Sequence, residues 1–312
     1  MQKTKEITKP GPGRLARPKR PKPMALTQRD KDILVRIWQD RMLYTSQIER
    51  IFFPSPQAAN MRLRRLWEHG YLDRYFLPTL IFHGSPEALY LLDRKGVDIV
   101  STGLGVERLK ILQGIRYLKW KIRTKTFLLT LDHSLAIAEF RIAFEEAAEN
   151  YPEVRYERWV PERMCQDEYR TWKLMEGKVK GKFRPDGYGQ YWHQDRLFSS
   201  FVEVDLATES NKAFGDKVRR YLDYSKSGRY EERYGAKLFR VLVATVGSQR
   251  LQNLKRATEK HTDTMFWFTT LGQVCRERFF GEVWQRAGKD GLHSLLDRPK
   301  GPRVWSALCP KP

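Results

Sequence analysis

The first half of the chain takes its fold from three neighbouring segments: Thr27-Gln-Arg-Asp-Lys-Asp-Ile-Leu-Val-Arg-Ile-Trp38, Thr45-Ser-Gln-Ile-Glu-Arg-Ile-Phe52 and Ser55-Pro-Gln-Ala-Ala-Asn-Met-Arg-Leu-Arg-Arg-Leu-Trp-Glu-His-Gly70. Thr27 followed by Asp30 is typical of a capping box, and Ser55-Pro56 is typical of an N-cap with proline at the first helical position. Apolar residues recur at helical spacing in each segment, and Gly70 ends the third. The pattern predicts three helices in a helix-turn-helix arrangement.

A pair of strands is predicted directly after the third helix. Residues 71–77 alternate in polarity like a strand, residues 78–86 have the composition of a loop, and residues 88–92 form an apolar second strand. A hairpin at this place is the wing of a winged helix, so we predict a winged helix-turn-helix domain over residues 26–102. A winged helix can also serve only as a protein–protein module, because a fold does not dictate a function.

The third predicted helix carries most of the candidate DNA-binding side chains. Gln and Asn can pair bidentately with adenine, and Arg can pair with guanine, in the major groove of a duplex. The predicted partner of this helix is therefore double-stranded DNA. The candidates are Gln57, Asn60, Arg62, Arg64 and Arg65 on the helix, and Arg74 on the strand that follows.

The composition narrows the class of protein. The chain has 312 residues, enough for two domains, and 41% are hydrophobic, which excludes disorder throughout. Lys and Arg total 58 against 37 Asp and Glu, a net charge of +21. This excess favours a polyanionic partner, most often nucleic acid, with a membrane surface second; a generically basic proteome is the alternative explanation.

Two further features of the sequence indicate the cellular compartment. No apolar run is long enough to span a bilayer, and no signal peptide is visible. The cysteines Cys165, Cys275 and Cys309 lie far apart, which disfavours a disulfide framework and a zinc cluster. We therefore expect a cytoplasmic protein without a membrane partner.

The rest of the chain divides into four further segments. Residues 1–25 are rich in Pro, Gly, Lys and Arg, which predicts a disordered basic arm that tracks phosphates or is simply a solvated tail. Residues 103–129 predict a basic connector helix, which links the domains and can also contact the DNA backbone. The pattern over residues 130–298 predicts a second domain. Its elements are, in order, a helix, three strands, a helix, a strand, a helix and a strand. Two of the three consecutive strands are predicted at 182–192 and 198–206. Residues 299–312 predict an irregular tail.

Two predicted strands of the second domain carry acidic residues that are candidate catalytic groups. Asp186 lies at or within the first, and Glu203 and Asp205 share one face of the next because side chains alternate along a strand. Oxygen ligands on adjacent strands suit Mg²⁺ or Mn²⁺, which could activate water for phosphodiester hydrolysis. We predict Asp186 and Glu203 as the metal ligands.

The order of elements resembles the PD-(D/E)XK nuclease fold, which has an α-β-β-β-α-β core. Pro185-Asp186 and Glu203 match its motif, whereas the position of the family's lysine holds Asp205. Lys212 or Lys217, on the next helix, could substitute for this lysine from another backbone position. The resemblance implies that Glu139, on the helix before the sheet, could add a further acid. The alternative is a solvated or salt-bridged acid cluster in a fold that has lost catalysis.

Several short motifs together resemble the bacterial replication-relaxation family. They are Leu26-Thr-x-Arg-Asp, Phe53-Pro-Ser55, Arg62-Leu-Arg-Arg-Leu66, Gly70-Tyr-Leu72, His133-Ser-Leu-Ala, Arg184-Pro-Asp186, Glu203-Val-Asp-Leu-Ala-Thr-Glu209 and Lys217-Val-Arg-Arg-Tyr221. The resemblance implies an α/β (α+β) protein in which a winged helix precedes a nuclease-like domain with a mixed sheet. It also implies a role on plasmids and other mobile elements, in replication, DNA relaxation or mobilisation.

Three functional hypotheses follow. The leading one is a DNA-binding protein of a mobile element, whose second domain is a nuclease-like platform. The second is an active, metal-dependent endonuclease or nickase that uses Asp186, Glu203 and a lysine of the next helix. The third is an adaptor that recruits a replication or mobilisation protein.

Overall fold

The computed structural model describes residues 16–76, 87–122, 127–173 and 177–296. The predicted irregular tail, the wing loop and the first fifteen residues of the predicted arm lie outside these ranges. The chain forms two compact units, one of residues 1–142 with 159–165, the other of residues 143–158 with 166–312. The domain boundaries predicted from the sequence remain predictions.

The first unit combines helices with a small antiparallel sheet. The strands are ordered β1-β3-β2, with Leu43 opposite Tyr90 and Leu72 opposite Leu92. The predicted connector helix corresponds to α5. The elements, in chain order, are α1 (Gln28–Asp40), β1 (Leu43–Tyr44), α2 (Thr45–Phe52), α3 (Pro56–Glu68), β2 (Leu72–Phe76), β3 (Ala88–Leu92), α4 (Arg94–Leu104) and α5 (Arg108–Lys121).

The caps predicted for α1 and α3 are present. The Thr27 hydroxyl accepts from the Asp30 N–H, and the Asp30 carboxylate accepts from the Thr27 N–H, so both halves of the capping box form. The Ser55 hydroxyl accepts from the Ala58 N–H at the start of α3. Gly70 has φ of 80° just beyond this helix, a conformation that favours glycine.

The apolar stripes of these helices form the core of the unit. Ile33, Leu34 and Ile37 of α1 pack with Leu63 and Leu66 of α3, and all five are fully buried. Burial of each such side chain stabilises the fold by roughly 1.5–3 kcal/mol relative to exposure.

A long helix and a mixed six-stranded sheet dominate the rest of the chain. The strand order is β11-β10-β9-β8-β7-β4, with β8, β9 and β10 parallel to one another and β7 antiparallel to β8. The elements are α6 (Phe127–Asn150), β4 (Val154–Pro161), α7 (Glu162–Cys165), β5 (Asp167–Lys173), β6 (Gly177–Phe183), β7 (Gly187–His193), β8 (Arg196–Asp205), α8 (Asn211–Lys226), α9 (Arg229–Tyr234), β9 (Arg240–Thr245), α10 (Ser248–Glu259), β10 (Phe266–Thr270), a 3-10 turn (Leu271–Gln273) and β11 (Gln285–Arg286).

The predicted mixed α/β architecture is therefore confirmed, but the single strand predicted over 182–192 is wrong. This segment forms two strands, β6 and β7, and β6 pairs with β5 in a separate two-stranded sheet. The chain changes direction at Arg184-Pro185-Asp186, where proline lacks the N–H that a continuous ladder needs. The β5–β6 hairpin itself was not predicted, because its alternating Lys and Gly residues carry little apolar signal.

Aromatic packing fixes the β5–β6 hairpin to α8. Tyr169 covers Gly181 so closely that a Cβ there would lie 2.2 Å from the ring, and the same tyrosine meets Tyr224 edge to face. Phe183 stacks on Tyr224 with ring centroids 3.9 Å apart. The Tyr224 hydroxyl donates to Asp167 at 3.0 Å. The hairpin therefore holds the residues that follow it, 184–186, in a defined place beside α8.

Among the described residues, no helix has the length and apolar character needed to cross a membrane.

Candidate functional site

Two acids and a lysine meet near the end of β8. Asp186 directly precedes β7, where its N–H donates to the carbonyl of Val202 and its carboxylate accepts from the N–H of Val204 at 2.8 Å. Glu203 lies on β8 and is only 2% exposed. Lys217, on α8, places its Nζ 2.7 Å from Oε2 of Glu203. The structure thus brings together Asp186, Glu203 and Lys217 from three different elements.

Two other polar groups complete the surroundings of Glu203. The Tyr221 hydroxyl donates to Oε1 of Glu203 at 2.6 Å. The Lys217 ammonium also contacts Glu209, with Nζ 3.1 Å from Oε1. Lys217 and Tyr221 are four residues apart, so they project from neighbouring positions on one face of α8. Both carboxylate oxygens of Glu203 therefore have a donor on this helix.

Burial and charge act in opposite directions on this site. Burial raises the pKa of the Glu203 carboxyl to about 7, with the charge of Asp186 adding to the rise and Lys217 and Tyr221 opposing it. Burial alone would lower the pKa of Lys217, but the carboxylates of Glu203, Asp186 and Glu209 outweigh burial and raise it. Lys217 consequently keeps its proton at neutral pH, while Glu203 can gain or lose one.

The acid–lysine site opens into a cleft of about 320 Å³. Glu203, Lys217 and Tyr221 line it together with Phe183 of β6. Three further lining residues are exposed cations, namely Lys182, Arg184 and Arg220. Because cations outnumber carboxylates on its walls, the cleft suits an anionic ligand such as a phosphate.

Asp205 has a different environment from Glu203. Its carboxylate forms a bidentate pair with Arg250 of α10, at 2.7 and 2.8 Å, and accepts from the Thr245 hydroxyl and the Ala207 N–H. Burial would raise the pKa of Asp205, but the hydrogen bonds and charge of Arg250 lower it overall. These contacts connect the end of β8 to α10, which indicates a structural role for Asp205.

The other two acid-site candidates lie apart from this cluster. Lys212 is exposed in the first turn of α8 and does not line the cleft. Glu139 of α6 contacts Arg50 and Gln47 of α2 within the first unit. Of the two candidate lysines, the structure therefore places Lys217 beside the acids.

The predicted metal ligands, Asp186 and Glu203, do face one site. Both oxygens of Glu203 nevertheless hold protein donors, and the described residues contain no group of three or more His, Cys, Asp or Glu side chains suited to a metal ion. As arranged, the carboxylates do not fit a resident Mg²⁺ or Mn²⁺ without displacement of Lys217. The metal site remains a prediction.

The exposed face of α3 carries three of the predicted DNA-binding side chains. Gln57, Asn60 and Arg64 are exposed. The Asn60 amide donates to the Pro56 carbonyl at 2.9 Å, and the Arg64 guanidinium pairs with Glu68 at the same distance. Both contacts are local to the helix and exposed, so DNA can displace them at little cost.

Arg62, on the same helix, is engaged within the protein. Its guanidinium pairs with the buried carboxylate of Asp30, with Nε 2.7 Å from Oδ1. Burial would raise the pKa of Asp30, but the hydrogen bonds from Arg62 and Thr27 lower it. This pair links the start of α1 to α3.

Arg65 and Arg74 also contact the protein. Arg74 stacks on Trp67, with its guanidinium carbon 3.9 Å from the ring centroid. Arg65 donates to the carbonyl of Pro23, and His69 contacts the carbonyl of Lys22. The described end of the predicted arm thus lies against α3.

Four polar residues that line the cleft were not predicted as site residues. Lys182, Arg184 and Arg220 were assigned no role there, because surface cations are common in a chain with this charge. Tyr221 could have been found, since it lies four residues after Lys217 and would share its face of a helix. Arg250 was also missed, because 45 residues separate it from Asp205.

Comparison with known proteins identifies a family. A family model described as Replication-relaxation matches residues 34–239, which include α3, the cleft and most of both units. No curated protein and no solved structure matches the chain. Because the family model covers well over half of the sequence, the chain belongs to the Replication-relaxation family.

Proposed function

We propose that the protein binds DNA in the replication or relaxation of a plasmid or other mobile element, and that the cleft of the second unit holds a backbone phosphate. The family supports a role in replication or relaxation. The proposal rests on the cleft itself, which is lined by Lys217 and by three exposed cations, Lys182, Arg184 and Arg220. Duplex DNA is the proposed ligand because phosphates dominate the affinity of such surfaces.

The first unit would locate the DNA site. The order of α1, β1, α2, α3 and the β2–β3 pair supports the predicted winged helix. α3 would enter the major groove with Gln57, Asn60 and Arg64, while Arg62 keeps the helix in position through Asp30. Base-contacting residues of this kind contribute about 1–3 kcal/mol of discrimination each.

In the cleft, Lys182, Arg184 and Arg220 would neutralise the phosphate, and Lys217 would position it above Glu203. The experiment compares duplex binding by the parent and by a variant with Lys182→Gln, Arg184→Gln and Arg220→Gln over a range of salt. If each cation meets a phosphate, the log–log salt slope falls by about 0.9 per cation. Lys237→Gln, a change at an exposed lysine of the same unit, is the control. An unchanged slope in the triple variant overturns the role of the cleft.

Phosphodiester cleavage is the second candidate function. It is favoured by the meeting of Asp186, Glu203 and Lys217, in which a helix lysine takes the part that the PD-(D/E)XK resemblance implies. A carboxyl with a pKa near neutrality is also suited to proton transfer. If a divalent metal displaced Lys217, Asp186 and Glu203 would be its ligands and the metal would supply a water nucleophile.

Nicking of supercoiled plasmid separates cleavage from binding alone. The parent is assayed with Mg²⁺, with Mn²⁺ and with chelator, beside Glu203→Gln and the control Glu232→Gln. Nicking that requires Glu203 and not Glu232 supports an enzyme. Binding without nicking under every condition leaves a DNA-binding platform, and absence of both favours an adaptor for replication or mobilisation proteins.

A further inference from the structure

Two aromatic rings are exposed side by side on α5. Tyr117 is 52% exposed and Trp120 is 60% exposed. Their ring centroids are 6.0 Å apart and their planes differ by 27°, so the rings are stacked. The opposite face of the helix is buried through Ile111 and Leu118. More than half of the surface of each aromatic residue is therefore accessible to a ligand.

The helix that carries these rings is strongly basic. α5 contains five Lys and Arg residues and no acidic residue. The Lys121 ammonium lies 4.9 Å from the centroid of the Tyr117 ring. Arg116, directly before Tyr117, is exposed. A planar apolar surface flanked by positive charge matches a ligand that has both flat rings and phosphates.

A pocket of about 280 Å³ opens beside Tyr117. Its lining includes the apolar residues Ile37, Ile111 and Leu118. Its cationic residues are Arg41, Lys110 and Arg163, of which Arg41 pairs with Glu162 and Lys110 pairs with Glu107. Trp38 forms one wall and lies under the Arg163 guanidinium, whose carbon is 4.7 Å from its centroid. The pocket therefore combines aromatic and cationic side chains, as the exposed face of α5 does.

Gly114 lies where the pocket meets the exposed face. It is exposed within α5, and a Cβ built there would meet no atom within 4 Å. Glycine in a helix interior is unfavourable relative to residues with side chains. Packing does not require glycine at this position, but a side chain there would project over the mouth of the pocket.

We propose that this surface of the first unit, formed by Tyr117, Trp120 and the adjoining pocket, binds a single-stranded nucleic acid by stacking its unpaired bases. Duplex DNA buries the faces of its bases, so only an unpaired strand can use exposed rings in this way. Arg116, Lys121 and the cations of the pocket would neutralise the phosphates between stacked bases. This surface shares no residue with α3 or with the cationic cleft, so duplex and single strand would contact different residues of the protein.

The test measures binding of a short fluorescein-labelled oligothymidylate by fluorescence anisotropy, using the full chain. Loss of one stacked base weakens binding about 5- to 150-fold, so Trp120→Ala and Tyr117→Ala are each expected to show a loss of this size. Trp120→Phe should retain most of the affinity. Leu238→Ala, which truncates another highly exposed apolar side chain, is the matched control and should bind like the parent.

An abasic oligonucleotide separates stacking from charge. The parent should bind it weakly, and Trp120→Ala should cause no further loss on it. Equal losses on the abasic and the intact strand would show that the ring does not contact bases, which overturns the proposal. An oligouridylate of equal length tells RNA from DNA as the source of the strand.

Gly114→Leu provides a variant in which folding is not at risk. The substitution raises helix propensity and meets open space, so the melting temperature should not fall, while binding of the oligothymidylate should weaken. Parent-like binding by both Gly114→Leu and Trp120→Ala overturns the proposal. So does a parent that binds no single strand but loses self-association on Trp120→Ala, which would make the surface an interface between copies.

Discussion

Glu203 is held in a buried site where its charge is costly, so its protonation is linked to folding. Its pKa in the folded protein, about 7, lies above the value of 4.5 for an unperturbed glutamate. A group with a raised pKa in the folded state stabilises the fold fully below its unfolded pKa. That contribution is lost as the pH rises through the folded pKa.

We therefore expect stability to fall between about pH 5 and about pH 8, by up to about 3 kcal/mol from this residue. Glu203→Gln should resemble the parent near the acidic end and exceed it in free energy of unfolding at the alkaline end. Urea denaturation at both pH values measures the difference. A difference between parent and variant that does not change with pH would contradict the raised pKa of Glu203.

Lys217 balances the charge of Glu203, so its removal should be costly. Lys217→Met removes the ammonium that pairs with the buried Glu203 carboxylate and should destabilise the protein by about 3–5 kcal/mol near pH 8, and by less near pH 5. Lys212→Met, at the exposed lysine of the same helix, is the control and should change stability little.

A titration with divalent metal shows whether Lys217 or a bound metal ion neutralises the charge of Asp186 and Glu203. Mg²⁺ should stabilise the Lys217→Met variant by mass action, because the ion can take the place of the ammonium, and should affect the parent less. Thermal melts over a Mg²⁺ titration measure both responses. If Mg²⁺ stabilises the parent strongly and Asp186→Asn abolishes the gain, the acids form a metal site despite Lys217.

The sequence predicted the acids of this site better than their partners. Asp186 and Glu203 could be identified because a short motif and the alternation of a strand place them on neighbouring elements. The choice between Lys212 and Lys217 depends on which face of α8 meets the sheet, which Phe214, Val218 and Tyr221 decide by their burial. The pairing of Asp205 with Arg250 depends on tertiary structure alone.

At the scale of elements, the arginines of α3 have two different environments. Arg62 pairs with buried Asp30, whereas the Arg64 side chain is 61% exposed and pairs with Glu68, four residues along the same helix. The prediction from sequence grouped them as DNA-binding candidates, because periodicity separates apolar from polar positions and not one polar role from another.

Arg64→Ala is expected to weaken binding to a specific duplex by about 1–3 kcal/mol and to leave stability nearly unchanged. Arg62→Ala is the matched comparison and should mainly lower the melting temperature, because it leaves the Asp30 carboxylate buried and unpaired. Gel-shift titrations on specific and random duplexes, with melts of both variants, give the result. Equal losses for Arg64→Ala on both duplexes would make Arg64 a phosphate contact.

Elements with a clear apolar period were predicted closely, and those without one were missed. The helix predicted to follow the strand at 198–206 is α8 at Asn211–Lys226. The β5–β6 hairpin escaped notice because its stabilising contacts come from Tyr224 of α8 and not from its own sequence pattern. Because β6 belongs to this hairpin, the segment 182–192 forms two strands and not the single strand that was predicted.

For the whole molecule, the net charge of +21 should appear as a steep salt dependence of DNA binding. Each neutralised phosphate adds about 0.9 to the log–log slope on B-DNA, and deletion of residues 1–23 should flatten the slope. Affinity measured over a salt series for both proteins checks this. A shallow slope in the intact protein, or an equal slope after deletion, would show that the charge is not directed at DNA.

The first unit is discontinuous in sequence, since residues 159–165 belong to it although residues 143–158 do not. In that short segment, the Arg163 guanidinium lies over Trp38, Trp159 meets Phe140, and Glu162 pairs with Arg41 at 3.0 Å. Domains generally fold from the N-terminus while the ribosome is still translating. Here the unit can make these contacts only after residue 165 has emerged, so we expect its folding to be completed after part of the second unit has been synthesised. Because the chain passes between the units three times, a single proteolytic cut cannot release both with all their residues.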